Sequence, residues 1–179
     1  MCYHIEKIPN HEIRNIITTH ILTLFEDEVQ KDGVLLNHLC RALSDGNAKE
    51  VARLFTDYMK KTISVRDTFV RKNIKENFYQ GILLGILGFK GGWTVKSNKE
   101  AGDGFSDILI RIEDEDVGIV IEVKYASDGN MEKECENALQ QITDVRYTEA
   151  LEQEGIHKII KYGVACYKKK CKVMMKIEE

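Results

Sequence analysis

Two apolar segments joined by four consecutive acids constrain this chain more than any other feature. Phe105-Ser106-Asp107-Ile108-Leu109-Ile110-Arg111-Ile112 and Gly118-Ile119-Val120-Ile121-Glu122-Val123-Lys124-Tyr125 read as strands, and Glu113-Asp114-Glu115-Asp116 between them is a poor strand and a good turn. With that tetrapeptide as the loop of a hairpin, Ile112 faces Val117, and every opposed pair has residue numbers adding to 229. Asp107 and Glu122 then face each other, with Cβ atoms about 4.5–5.5 Å apart. Side chains two residues apart share a face, so Lys124 joins the two carboxylates. The other face carries Ile108, Ile110, Ile112, Ile119, Ile121 and Val123, a coherent core. A slip of one residue changes this pairing, so the register is the critical expectation.

Two adjacent carboxylates repel unless a proton or cation lies between them. Oxygen ligands at about 2.0–2.1 Å suit Mg²⁺, which takes its remaining ligands from water and substrate phosphate. A lysine beside such a site can orient the attacking water and stabilise charge on phosphoryl oxygens. The implied chemistry is metal-dependent hydrolysis of a phosphodiester. Glu122-Val123-Lys124 is the only acid-x-Lys triplet in the chain. It lies in a segment apolar on both faces, as in a covered central strand, where charge is costly unless paired or metal-bound. A structural ion pair is the competing reading of the same residues.

Around the hairpin the pattern is helices first, then an α/β sheet. Helical spacing covers His11 to Val29 after a candidate cap at Asn10, Val34 to Leu43, Val51 to Met59, and a fourth helix from Ser64 to about Leu87. Strands are expected over Trp93 to Asn98, Phe105 to Ile112, Gly118 to Tyr125, Ile159 to Tyr167 and Lys172 to Ile177. One polar helix, about Met131 to Glu152, lies between the third and fourth. The softest boundary falls near residue 62. It divides an N-terminal helical subdomain (1–62) from a core (63–179).

Composition narrows the function classes. With 43% hydrophobic and 31% charged residues the chain can bury a core, and no segment reads as a secretory leader or a membrane span. Five scattered cysteines without a C-x-x-C fit neither a disulfide framework nor a zinc site, and point to a reducing, cytoplasmic setting. A net charge of −3 does not by itself announce a nucleic-acid partner.

The spacing from Asp107 to Glu122-x-Lys124 resembles the PD-(D/E)XK nuclease superfamily. Ile8-Pro9-Asn10-His11-Glu12-Ile13-Arg14, Glu76-Asn77-Phe78-Tyr79-Gln80-Gly81, Ser97 to Asp107 and Ala138-Leu139-Gln140-Gln141-Ile142 are similar to the type found C-terminal to AAA-ATPase-like domains. Ser106 stands where the superfamily's name has proline. The resemblance implies a restriction-endonuclease-like core, a mixed central sheet flanked by helices, with an N-terminal helical subdomain. It further implies Mg²⁺ (or Mn²⁺), cleavage of nucleic acid with DNA the favoured substrate, and an AAA-ATPase-like domain as partner in cis or in trans. Asp107, Glu122 and the Val123 carbonyl would hold metal, Lys124 would be the catalytic lysine, and Glu76 the acid from the first core helix.

Other candidates carry two readings each. Glu76 shares a polar helix edge with Tyr79 and Gln80, or is a solvated glutamate. Glu100 flanks a glycine turn. Gln141 matches the subgroup's wording, whereas Gln140 and Tyr147, seven apart, would share a helical face. Lys168, Lys169 and Lys170, with Arg71 and Lys72, could contact phosphates without sequence choice, or be solvated. A catalytically silent nucleic-acid or protein binding module on the same fold is the alternative function.

Overall fold

The computed structural model describes residues 33–63, 72–97, 108–113, 115–145 and 148–178. In chain order these form α1 (Gly33–Ser44), α2 (Ala48–Thr62), α3 (Lys72–Leu87), β1 (Trp93–Ser97), β2 (Ile108–Ile112) and β3 (Val117–Tyr125). They continue with α4 (Met131–Asp144), α5 (Glu149–Gln153), β4 (Lys158–Tyr167) and β5 (Lys170–Glu178). The first expected helix, with Asn10, lies outside the described residues, as do Asp107, Glu100, Arg71 and Tyr147.

Local chemistry sets several boundaries. Asn47 caps α2 by accepting the Glu50 N–H at 3.2 Å, and Asn130 caps α4 by accepting the Lys133 N–H at 3.2 Å. Both satisfy an amide that the first helical turn leaves without a partner. The expected helix over 131–152 is broken instead into α4 and α5. The break turns Leu151 and Ile156 onto the sheet, where they meet Gly118. A Cβ on Gly118 would lie 2.8 Å from Leu151 and 3.2 Å from Ile156.

The five strands form one mixed sheet in the order β1-β2-β3-β4-β5. All neighbours are antiparallel except β3 and β4, which run parallel and are joined through α4 and α5. The β2–β3 register pairs Ile108 with Ile121, Leu109 with Val120, Ile110 with Ile119 and Arg111 with Gly118. Each pair adds to 229, the expected register.

One face of the sheet buries Ile108, Ile110, Ile112, Ile119, Ile121 and Val123 together with Ile160, Tyr162 and Val164, against apolar residues of α1, α2 and α3. Tyr162 also donates its hydroxyl to the Leu43 carbonyl at 2.7 Å, tying the end of α1 to β4. The other face packs Val120 and Ile159 against Leu139, Ile142, Leu151 and Ile156. Each of these aliphatic side chains contributes about 1.5–3 kcal/mol on leaving water. β3 is therefore covered on both sides, and any charge on it must be satisfied inside the protein.

Candidate active site

Glu122 and Lys124 sit near the carboxyl end of β3, on the face covered by α4. The Glu122 residue is 1% exposed. Its Oε1 lies 2.6 Å from the Lys124 Nζ, and the same amine donates to the Gln141 Oε1 at 2.6 Å. The lysine head is thus held between a carboxylate and an amide. Burial pushes the Glu122 carboxyl above the ordinary range, with the Lys124 charge opposing and the Glu76 charge adding to the rise.

Glycine makes this meeting possible. Gly163 pairs with Glu122 across the parallel ladder, and a Cβ there would lie 2.3 Å from the Cys135 carbonyl oxygen of α4. The missing side chain lets the helix backbone approach the sheet closely. The Cys135, Ala138, Leu139 and Ile142 stripe of α4 faces inward. Gln141 flanks that stripe and reaches Lys124. Gln140 is exposed and bonds Asp144 at 2.7 Å, so the expectation that it lines the site is corrected. Tyr147, its expected companion on one helical face, lies outside the described residues.

Glu76 approaches from the opposite side of the sheet. Its Oε1 accepts the Tyr125 N–H at 3.1 Å. Backbone groups of alternate strand residues point to opposite sides. The Ala126 N–H bonds the Cys166 carbonyl of β4, so Tyr125 and Val123 direct theirs toward the β2 side. There the Val123 carbonyl and the Glu76 carboxylate face one edge, beyond the described end of β2. The polar edge expected on α3 is revised: Tyr79 is 0% and Gln80 8% exposed. Tyr79 stacks on Tyr125 with centroids 6.1 Å apart and planes 8° from parallel.

The donor set suits a hard divalent ion. Glu122 is a buried carboxylate with only Oε1 engaged among the described residues, and the Val123 carbonyl is a second hard oxygen. Among the described residues no three His, Cys, Asp or Glu side chains cluster as a metal cage. The lysine turn lies at the same end of the sheet: Lys168 and Lys169 connect β4 to β5, and Lys170 opens β5. Lys72 opens α3. The sequence reading passed over Gly163 and Tyr125; a lone glycine inside the apolar run Ile159 to Tyr167 was the available signal for the first.

A family model of the PD-(D/E)XK nuclease superfamily matches residues 74–176, more than half of the chain. The chain belongs to the PD-(D/E)XK nuclease superfamily. No curated protein and no solved structure matches it. The mixed sheet flanked by helices is the restriction-endonuclease-like arrangement of PD-(D/E)XK proteins, whose members are in general metal-using nucleases and phosphodiesterases. The matched span includes Asp107, Glu122 and Lys124. No described helix is long and apolar enough to cross a membrane.

Proposed function

We propose that the protein is a Mg²⁺- or Mn²⁺-dependent nuclease that hydrolyses phosphodiester bonds of nucleic acid, with DNA as substrate. The observation that carries this reading is the Lys124 amine, held 2.6 Å from a buried carboxylate and 2.6 Å from a buttressing amide in a member of this superfamily. Asp107 immediately precedes β2. The 229 register carried one residue further would set it opposite Glu122. Asp107, Glu122 and the Val123 carbonyl would then hold the cation. The bound ion would neutralise phosphoryl charge and acidify water.

The chain's own groups do the positioning. Lys124 presents its N–H donors to the water and to phosphoryl oxygens, and Gln141 fixes the direction of that amine. Glu76 holds the end of β3 through the Tyr125 N–H and adds negative potential for the cation. Basic residues at Lys168, Lys169 and Lys170, with Arg71 and Lys72, supply sequence-independent attraction for phosphates. An AAA-ATPase-like domain, in cis or in trans, is the partner we infer from the wording of the N-terminal and glycine-rich segments, and the cytoplasm is the location we infer from the scattered cysteines.

The test is cleavage of plasmid and linear DNA with Mg²⁺ or Mn²⁺ by the wild type, Asp107→Ala and Lys124→Ala. The reading requires cleavage in the first and its loss in both variants, each assayed below its own Tm so that it is folded. Equal metal-stimulated cleavage in all three overturns it. The Glu122–Lys124 pair, already neutral as a unit, favours one second reading, the silent binding module. Calorimetry separates the two, since only the nuclease site takes up Mn²⁺.

A further inference from the structure

The β4–β5 hairpin turns on Lys168 and Lys169, and Lys168 has a left-handed backbone, with φ of 54°. Among the described residues no other non-glycine does so. That conformation is strained for a residue with a Cβ, and Gly or Asn ordinarily fills it. The two-residue hairpin loop between Tyr167 and Lys170 demands a positive φ, and a lysine fills it here. The turn is also pinned from below. Tyr79 donates its hydroxyl to the Lys168 carbonyl at 2.6 Å, from α3, one turn after Glu76.

The side chain of Lys168 lies over a ring. Its Nζ is 5.2 Å from the centroid of Tyr167. On the neighbouring ring the same arrangement recurs from another element, with the Lys75 Nζ 4.4 Å from the centroid of Tyr125. The two rings are 6.3 Å apart, and Tyr125 stacks in turn on Tyr79. No described carboxylate forms an ion pair with either amine. Two ammonium groups, one from α3 and one from the hairpin, are therefore presented over adjacent rings at the end of the sheet where Lys124 lies. An ammonium over an aromatic face keeps donors pointing outward while the ring restricts its stem.

We propose that Lys75 and Lys168 form a two-point grip on backbone phosphates of the nucleic acid strand flanking the site, with Tyr79 as the residue that positions it. This rests on the nuclease reading for why a strand lies there. The grip reads charge and spacing, not bases.

The test is binding of a fluorescein-labelled DNA duplex, measured by anisotropy in Ca²⁺ buffer over a range of salt, for the wild type, Lys168→Gly, Lys75→Gln and Lys176→Gln. Lys168→Gly relieves the strain, so its Tm stays at or above the wild-type value. Its affinity falls several-fold, and the slope of log K against log salt drops by about 0.9, one phosphate contact. Lys75→Gln lowers the slope by the same step, and Lys176→Gln, exposed on the far half of β5, leaves it unchanged. Tyr79→Phe weakens binding without removing a charge, so the slope holds while affinity falls. Wild-type affinity and slope in both Lys168→Gly and Lys75→Gln would overturn the grip, even with cleavage intact. Lysine-dependent binding by a wild type that cleaves nothing would remove the nuclease reading and leave the grip standing.

Discussion

Lys124 is the residue on which the chemistry turns, and its two acceptors differ in how readable they were. Alternation alone put Glu122 and Lys124 on one face. The choice between Gln140 and Gln141 needed the roll of α4 about its axis. At about 100° per residue Gln141 lies nearer the Cys135–Ile142 stripe than Gln140 does, so the signal existed in the apolar positions. Gln141→Leu is expected to lower kcat about 10- to 100-fold with little change in KM, because the amine loses its direction and not its charge. Steady-state cleavage checks this; an unchanged kcat would remove Gln141 from the machinery. Asp116 gives a second prediction, away from the site. It accepts the His157 N–H at 2.8 Å and faces the His157 ring at 2.7 Å, which holds its carboxyl below the ordinary value of 3.8. A depressed carboxyl adds stability that is present above the ordinary carboxylate range and is lost as pH falls through the folded value. Asp116→Asn should therefore have a lower Tm than wild type at neutral pH, the two converging as pH falls through the lowered folded value. Parallel Tm curves across that range would contradict it.

At the level of elements, the hairpin register could be read because the apolar alternation changes face at every step and tolerates only one pairing. The break between α4 and α5 could not, because it answers to Leu151 and Ile156 meeting Gly118, a contact far apart in sequence. The left-handed Lys168 was equally invisible, since nothing in Tyr-Lys-Lys-Lys announces a positive φ. Close approach of α4 to β4 depends on Gly163. Gly163→Ala should cost about 1–3 kcal/mol or more, because the new methyl meets the backbone carbonyl of Cys135 rather than a movable side chain. It should also depress cleavage at temperatures where the variant is fully folded, since a displaced α4 carries Gln141 away from Lys124. Thermal unfolding beside low-temperature kinetics separates the two effects. Wild-type values in both would show that the helix–sheet spacing is not set there.

At the scale of the molecule, α1, α2 and α3 share one apolar core with the sheet. The boundary expected near residue 62 falls between α2 and α3, and sequence shows a change of element type but not which faces meet. Tyr162→Phe tests how firmly the helices and sheet act together. Losing the bond to the buried Leu43 carbonyl should cost about 1–3 kcal/mol. If the described helices and sheet unfold as a unit, the urea midpoint falls with m unchanged, and Trp93 fluorescence and circular dichroism report one transition. Two separated transitions would mark α1 and α2 as an independent body. The five described strands lie side by side in the order in which they occur along the chain. No strand has to be inserted between two that are already paired, so the sheet can lengthen from one edge as the polypeptide leaves the ribosome. The strand bearing Glu122 and Lys124 has its first neighbour waiting before it is made and acquires its second only after α4 has folded across. Assembly of the reactive groups is thereby postponed until most of the chain has been synthesised.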